Sequence, residues 1–184
     1  DVAILDPEAA DAGAVERLPR GETGEIAERP DFPCFFAEYW EKPEKTASCF
    51  VDGPDGEWYL SGDLGHMDED GYFWFEGRAD DVIISSGYRI GPFEVESSLI
   101  EHPIVAAAAV IGVPDEQRGQ VVKAFVVPVE TPDDPEKTLE EIQSHVKNRL
   151  ARHAYPREIE FIEELPKTAT GKIQRYRLEE RERE

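Results

Sequence analysis

Cysteine is nearly missing from this chain, with only Cys34 and Cys49 among 184 residues. They form no Cys-x-x-Cys pair and have no histidine pair nearby, so neither a zinc site nor a disulfide framework is expected. Two reduced thiols, at least partly buried, are expected instead. Long apolar runs are absent too. Nothing approaches the roughly 18 apolar residues of a membrane helix, and no signal peptide opens the chain, so it reads as cytoplasmic with no membrane partner. Basic charge is scarce: 20 Lys and Arg face 41 Asp and Glu, a formal net charge of −21. Such a surface repels phosphate backbones, so nucleic acid is not an expected partner. The histidines, at 66, 102, 145 and 153, show no metal-ligand spacing, and no metal is expected in this chain.

The 40% hydrophobic content, with nine Phe and three Trp, belongs to a chain that folds. Its length suits one ordinary domain or two small ones. At about 1 M salt the Debye length falls to roughly 3 Å, which screens most of the self-repulsion of so many carboxylates. Acids crowd 1–31 and 52–81 as well as the runs at 133–141 and 179–184. That spread fits a surface-wide adaptation to a high-salt cytoplasm better than an acidic tail.

The opening "DVAILDPEAADAGAVERLPRGETGEIAER" gives a short apolar strand, Pro and Gly punctuation, and a second strand near 24–29. Without an initiator Met it reads as a cut end. "EWYLSGDLGHMDEDGYFWFEGR" alternates as two strands around Asp68-Glu69-Asp70-Gly71, a hairpin turn. "DDVIISSGYRIGP" reads as a second hairpin with Ser85, Ser86 and Gly87 at its turn. Pro92 then opens a helix with Glu94 and Glu96 in its first turn. Strands are predicted near 105–113, 120–129 and 158–162. Thr138 and Glu141 form a capping-box pattern for a helix carrying Leu139, Ile142, Val146 and Leu150 on one face, and a charged helix runs from Gln174.

Two windows contain no acid at all: "SHVKNRLARHAYPR" at 144–157 and "PKTATGKIQRYRL" at 166–178, each with four Lys or Arg. A helix C-terminus accounts equally well for Arg149 and Arg152, which would complement the macrodipole. It does not account for Tyr155, Pro156 and Arg157, which lie beyond that helix. In the second window Gly171-Lys172 is similar to the end of a Walker A loop, but Pro166 stands where the first glycine is required and Ile173 where the Ser or Thr should be. "GYRIGP" offers too few glycines for a dinucleotide fingerprint, and Ser85 and Ser86 lie in no nucleophile elbow.

Taken in order, "YLSGDLG", "GRADDVIISSGYRIGPFEVE" and "LPKTATGKIQR" resemble the last three core motifs of the AMP-forming acyl-CoA synthetases, of the adenylate-forming superfamily. The likeness covers 57–178 with certainty, and "SSGYRIGP", "VVKAFVV" and "YPREIEF" bring it closest to the medium-chain enzymes. The resemblance implies an α+β chain, with 1–79 the β-rich end of a large AMP-binding domain and 80–184 a small mobile C-terminal domain. It implies ATP with Mg2+ and CoA as partners, a carboxylic acid substrate, and a large N-terminal domain that supplies the metal ligands and acyl pocket. By the same resemblance Asp63 and Arg78 bind the ribose of ATP or AMP, Asp80 is the hinge, and Arg89 approaches ATP phosphate. Lys172 is the catalytic cation of adenylation. Ser86, Gly87 and Tyr88 line the pantetheine tunnel, while Arg118, Tyr155 and Arg157 contact CoA, with Lys147 a weaker candidate. Ser61 stands where threonine is commoner and keeps the hydroxyl. The fragment alone is expected to be inactive. An adenylation domain that loads a carrier protein and a non-catalytic nucleotide or CoA-binding module are the alternatives.

Overall fold

The computed structural model describes residues 1–6, 15–53 and 56–183. The architecture is mixed α+β, in two compact units, Asp1–Asp80 and Asp81–Glu184.

The first unit is built on one antiparallel sheet of β1 (Val2–Leu5), β2 (Gly24–Glu28), β3 (Phe50–Gly53), β4 (Gly56–Met67) and β5 (Phe73–Arg78). The order is β1-β2-β4-β3, with β5 also paired to β4. Strand alternation sends neighbouring side chains of β4 to opposite faces. Trp58 packs with Ala3, Leu5, Val15 and Ala27 in a core. Tyr59 instead joins an aromatic cluster with Phe35, Phe36 and Phe50. A short helix, α1 (Pro43–Ser48), precedes β3. The β4–β5 turn forms as its Asp and Gly suggest: Asp68 Oδ1 accepts from the amides of Asp70 at 3.0 Å and Tyr72 at 2.9 Å, and Gly71 takes φ +88°. Cys34 is exposed and only Cys49 is partly buried, contrary to the expectation for both. Cys34 follows Pro33 in a turn outside the sheet strands.

The second unit holds β6 (Ile83–Ser85), β7 (Tyr88–Ile90), β8 (Val105–Asp115), β9 (Gly119–Pro128) and β10 (Glu158–Phe161), in the order β10-β9-β6-β7 with β8 on β9. Only β10 against β9 is parallel. Both faces of the long β8–β9 pair are covered, which is why their sequences are nearly continuous apolar runs. One face, with Val110, Val122, Ala124 and Val126, packs on Val95 and Leu99 of α2 (Pro92–Ile100) and Ile142 and Val146 of α3 (Pro135–Lys147). The other, with Ile111, Val121 and Phe125, packs on Leu165 and on Leu178 of α4 (Arg175–Arg183). Lys123 clamps α4 through Glu182 at 2.6 Å. Burial alone would lower that ammonium, but Glu182 and Glu160 outweigh it and hold it above the ordinary lysine range.

Two local expectations change. Helix α3 begins at Pro135 rather than at a Thr138 cap: Asp134 Oδ1 accepts from Lys137 N at 3.1 Å, while the Thr138 hydroxyl donates back to the Asp134 carbonyl at 2.8 Å. An Asp cap followed by Pro outcompetes a Thr one turn later. Glu96 does not complement a helix dipole at the surface; it is buried under α2 and ion-paired.

Candidate nucleotide and acyl-transfer sites

In the first unit, Asp63 and Arg78 face each other across the β4–β5 register. Arg78 Nη1 donates to Asp63 Oδ1 at 2.9 Å and to the Ser61 carbonyl at 3.1 Å, and its Nε donates to Asp80 Oδ1 at 3.1 Å. Burial by itself would lower the guanidinium, yet the two carboxylates win and raise it. The approach to Asp63 is fixed from below. Ser61 Oγ donates to the Ile26 carbonyl at 2.6 Å and accepts from Asp63 N at 3.1 Å, and Gly62 N donates to Glu25 Oε1 at 2.8 Å. Gly62 has φ +74°, and a Cβ there would stand 2.7 Å from Arg78 Nη2. The Asp63 side chain stays 40% exposed, enough to accept hydrogen bonds from a diol while held by Arg78.

In the second unit the β6–β7 turn has Ser86 at φ +51° and Gly87 at φ +83°, the two left-handed residues of a tight hairpin. A Cβ on Gly87 would meet nothing in the chain, so its backbone lies open at the surface. The turn is fastened to the β8–β9 loop: Ser86 N donates to the Arg118 carbonyl at 2.9 Å and Arg118 Nη1 to Ser86 Oγ at 3.2 Å. Asp115 Oδ1 in turn accepts from Arg118 N at 2.8 Å. Tyr88 stacks on His153 at 4.1 Å and 9°. A separate group gathers around the Tyr155 ring, with Lys147 Nζ at 4.2 Å and the Arg157 guanidinium at 5.2 Å from its centroid. Thus Ser86, Tyr88 and Arg118 come together, as do Tyr155, Arg157 and Lys147; Arg89 is exposed on β7. Arg149, left open between two readings, pairs with Glu101 at 2.8 Å.

Lys172 sits on a stiff loop. Thr168 N donates to the Lys172 carbonyl at 2.8 Å, Gly171 N to the Thr168 carbonyl at 2.9 Å, and Lys172 N to Thr168 Oγ1 at 3.1 Å. Gly171 takes φ +86° at the tip, and Lys167 and Ile173 bridge its base. The backbone is held while the side chain is exposed, which suits a charge that has to be presented to a ligand.

Three contributors were missed by sequence reasoning. Glu25 and His153 carry no local signal. Arg175 is counted only among the basic residues of its window, although it closes "LPKTATGKIQR"; it is partly buried and ion-paired to both Asp81 and Glu96. Among the described residues no cluster of three or more His, Cys, Asp or Glu could hold a metal. Among the described residues no helix is long and apolar enough to cross a membrane.

The profile of the family described as AMP-binding enzyme C-terminal domain matches residues 94–172, so the second unit carries the C-terminal domain of AMP-binding enzymes. The likeness extends over nearly the whole chain, which is 55% identical over 188 residues to acyl-coenzyme A synthetase ACSM4, mitochondrial, of Homo sapiens, covering 99% of this chain and 30% of that protein. It is 52% identical over 187 residues to acyl-coenzyme A synthetase ACSM3, mitochondrial, of Mus musculus, again covering 99% of this chain and 30% of that one. Among solved structures, the ATP-bound RpMatB-BxBclM chimera B1 matches with a TM-score of 0.86 and 38% identity, over 98% of this chain and 34% of that one. The homologues are acyl-CoA synthetases, and the structural neighbours are adenylate-forming enzymes. The chain spans 30% of the length of these two relatives.

Proposed function

We propose that this chain is the C-terminal third of an AMP-forming acyl-CoA synthetase of the medium-chain type, with 1–79 closing the large domain and 80–184 forming the mobile one. In the whole protein a carboxylate oxygen attacks the α-phosphorus of ATP, pyrophosphate leaves, and an acyl adenylate forms. The CoA sulfur then attacks the acyl carbon and AMP leaves. The carrying observation is that Asp63 and Arg78 pair across β4 and β5 and that Lys172 sits on a loop braced by its own hydrogen bonds, in a chain 55% identical to a synthetase.

In this reading Asp63 accepts from both ribose hydroxyls, with Arg78 orienting it and touching the same ribose. Lys172 stabilises negative charge where carboxylate and α-phosphate meet, an electrostatic role that needs no nucleophile. Rotation about Asp80 withdraws Lys172 and brings in the turn Ser86, Gly87 and Tyr88 to line the pantetheine path. Arg89 approaches ATP phosphate, and Arg118, Tyr155 and Arg157 meet the CoA nucleotide. Mg2+ ligands and the acyl pocket belong to the missing large domain. The two cationic groups at Arg118 and around Tyr155 favour CoA over a carrier protein as acceptor. The compartment is cytoplasmic on the sequence reading, with the mitochondrion, named for the relatives, as the rival. A high-salt source rests on charge alone and draws no support from those relatives.

Lys172→Ala in the whole enzyme tests this reading. Acid-dependent exchange of pyrophosphate into ATP should fall by about 10² or more, the scale of losing one preorganised charge-stabilising group. Thioester formation from supplied acyl adenylate and CoA should persist; equal loss of both half-reactions would remove the role given to Lys172.

A further inference from the structure

Arg175 ends the lysine motif and begins α4, and none of the roles above uses it. Its Nη1 donates to Asp81 Oδ2 at 2.9 Å, and its Nη2 donates to both Glu96 oxygens at 2.8 Å. Glu96 Oε1 also accepts from Val110 N at 2.9 Å. One guanidinium therefore joins the segment leaving Asp80, helix α2, the middle of β8 and the start of α4. Its planar fork fixes direction as well as distance, which an ammonium could not do.

Stability alone is a weak explanation. The Arg175 and Asp81 side chains are each 20% exposed and Glu96 only 8%, and buried ion pairs often gain little over apolar packing. Arg175 Nε is buried with no hydrogen-bond partner, a cost that a purely structural lock would avoid. Burial pushes the Glu96 carboxyl up, and Arg175 and the Val110 amide only partly pull it back.

Position supplies the better explanation. Lys172 is three residues upstream, and the intervening chain is tied at its base by Gln174 N donating to the Pro166 carbonyl at 2.9 Å. Asp81 directly follows Asp80 in sequence. A long exposed lysine can meet one phosphate reliably only if its Cα is held, because displacements near 1 Å can cost about 10² in rate.

We infer that Arg175 is a positioning residue of the adenylation step, locking the lysine loop to the segment that leaves the Asp80 hinge so that rotation there carries Lys172 as a rigid extension. This rests on the synthetase reading above.

The test uses the whole enzyme with Arg175→Gln and, because that variant could fail to fold, also Asp81→Asn, which removes only the hinge-side arm. Pyrophosphate exchange should fall by about 30-fold or more in Arg175→Gln and about fivefold in Asp81→Asn, with KM for ATP within about twofold. Thioester formation from supplied acyl adenylate should stay within about threefold of the parent, whereas a merely structural role would depress both half-reactions together. Hydrogen exchange in the same proteins should quicken at the amides of Lys172 and Gln174 and not in β8 or β9. Parallel loss of both half-reactions, or unchanged exchange of pyrophosphate in folded variants, overturns the inference. Lys172→Ala run alongside separates the two levels: if it leaves adenylation intact, the underlying reading has failed, and if it abolishes adenylation while the Arg175 and Asp81 variants do not, only the positioning role has failed.

Discussion

The Asp63 site and the Lys172 loop present opposite charges by opposite means. Asp63 is held through its side chain by Arg78 across a strand pair, with its backbone amide also donating to Ser61 Oγ. Lys172 is held through its backbone, by Thr168 and the bridge at 167 and 173, with the side chain left exposed. A group that receives a ligand in a fixed pose gains from a locked rotamer, which adds orientation at little further entropic cost. A charge delivered by a moving domain gains from a locked base and a long reach. On the proposed reading, each unit serves one of these tasks.

Glycine replacement sharpens that contrast most strongly. Gly62→Ala and Gly171→Ala both force a left-handed residue and should each cost about 1 kcal/mol or somewhat more, readable by urea denaturation. Their kinetic signatures should differ. The Cβ at residue 62 falls within 2.7 Å of the flexible end of Arg78, so Arg78 swings off Asp63 and KM for ATP rises by about tenfold in the whole enzyme. The Cβ at residue 171 meets nothing within 4 Å, so the strain reshapes only the loop and lowers the adenylation kcat. If both substitutions change the same kinetic constant, the contrast between the two sites fails.

Salt should act on the chain as a whole and more mildly. With a net charge of −21, multimolar KCl should raise the thermal midpoint relative to low salt, and a flat or falling midpoint would remove the high-salt reading. The Asp63–Arg78 contact at 2.9 Å should lose less to screening than the exposed Lys172 does.

The smallest effect concerns pH. His102 and His145 meet edge to face at 5.1 Å, with Arg149 within 3.2 Å of His145. Burial first, then His145, push the His102 imidazole below its ordinary value, with Arg149 adding slightly and Glu141 opposing. The unfolded chain then binds a proton that the folded one refuses, so this part of the stability is lost as pH falls from about 6.5 through the lowered value. Denaturation midpoints at pH 5 and pH 7.5 should differ less in His102→Gln than in the parent. An identical difference would clear His102 of any role.

Much of the fold is legible along the chain because its signals are local. Alternation marks β4 and β5, nearly continuous apolar runs mark β8 and β9, Asp and Gly mark the β4–β5 turn, and Pro92 opens α2. Of the motif residues, Ser86 and Gly87 sit on a hairpin turn and Asp63 and Arg78 on the paired strands β4 and β5. The start of α3 was misplaced because two capping patterns lie one turn apart, and only the packed helix selects Asp134. Arg175 was overlooked because its partners, Asp81 and Glu96, are 94 and 79 residues away. A spacing of that size leaves no periodic trace.

By itself the sequence determined the strands, the turns, and the lysine motif with its glycine tip, all set by propensities within a few residues. Only the tertiary structure decided that β10 runs parallel to β9, that α2 and α3 cover one sheet face and α4 the other, and that Arg175 closes on Asp81 and Glu96. Such contacts join segments far apart in the chain, and their free energy depends on burial and fork geometry that exist only once the sheet has formed.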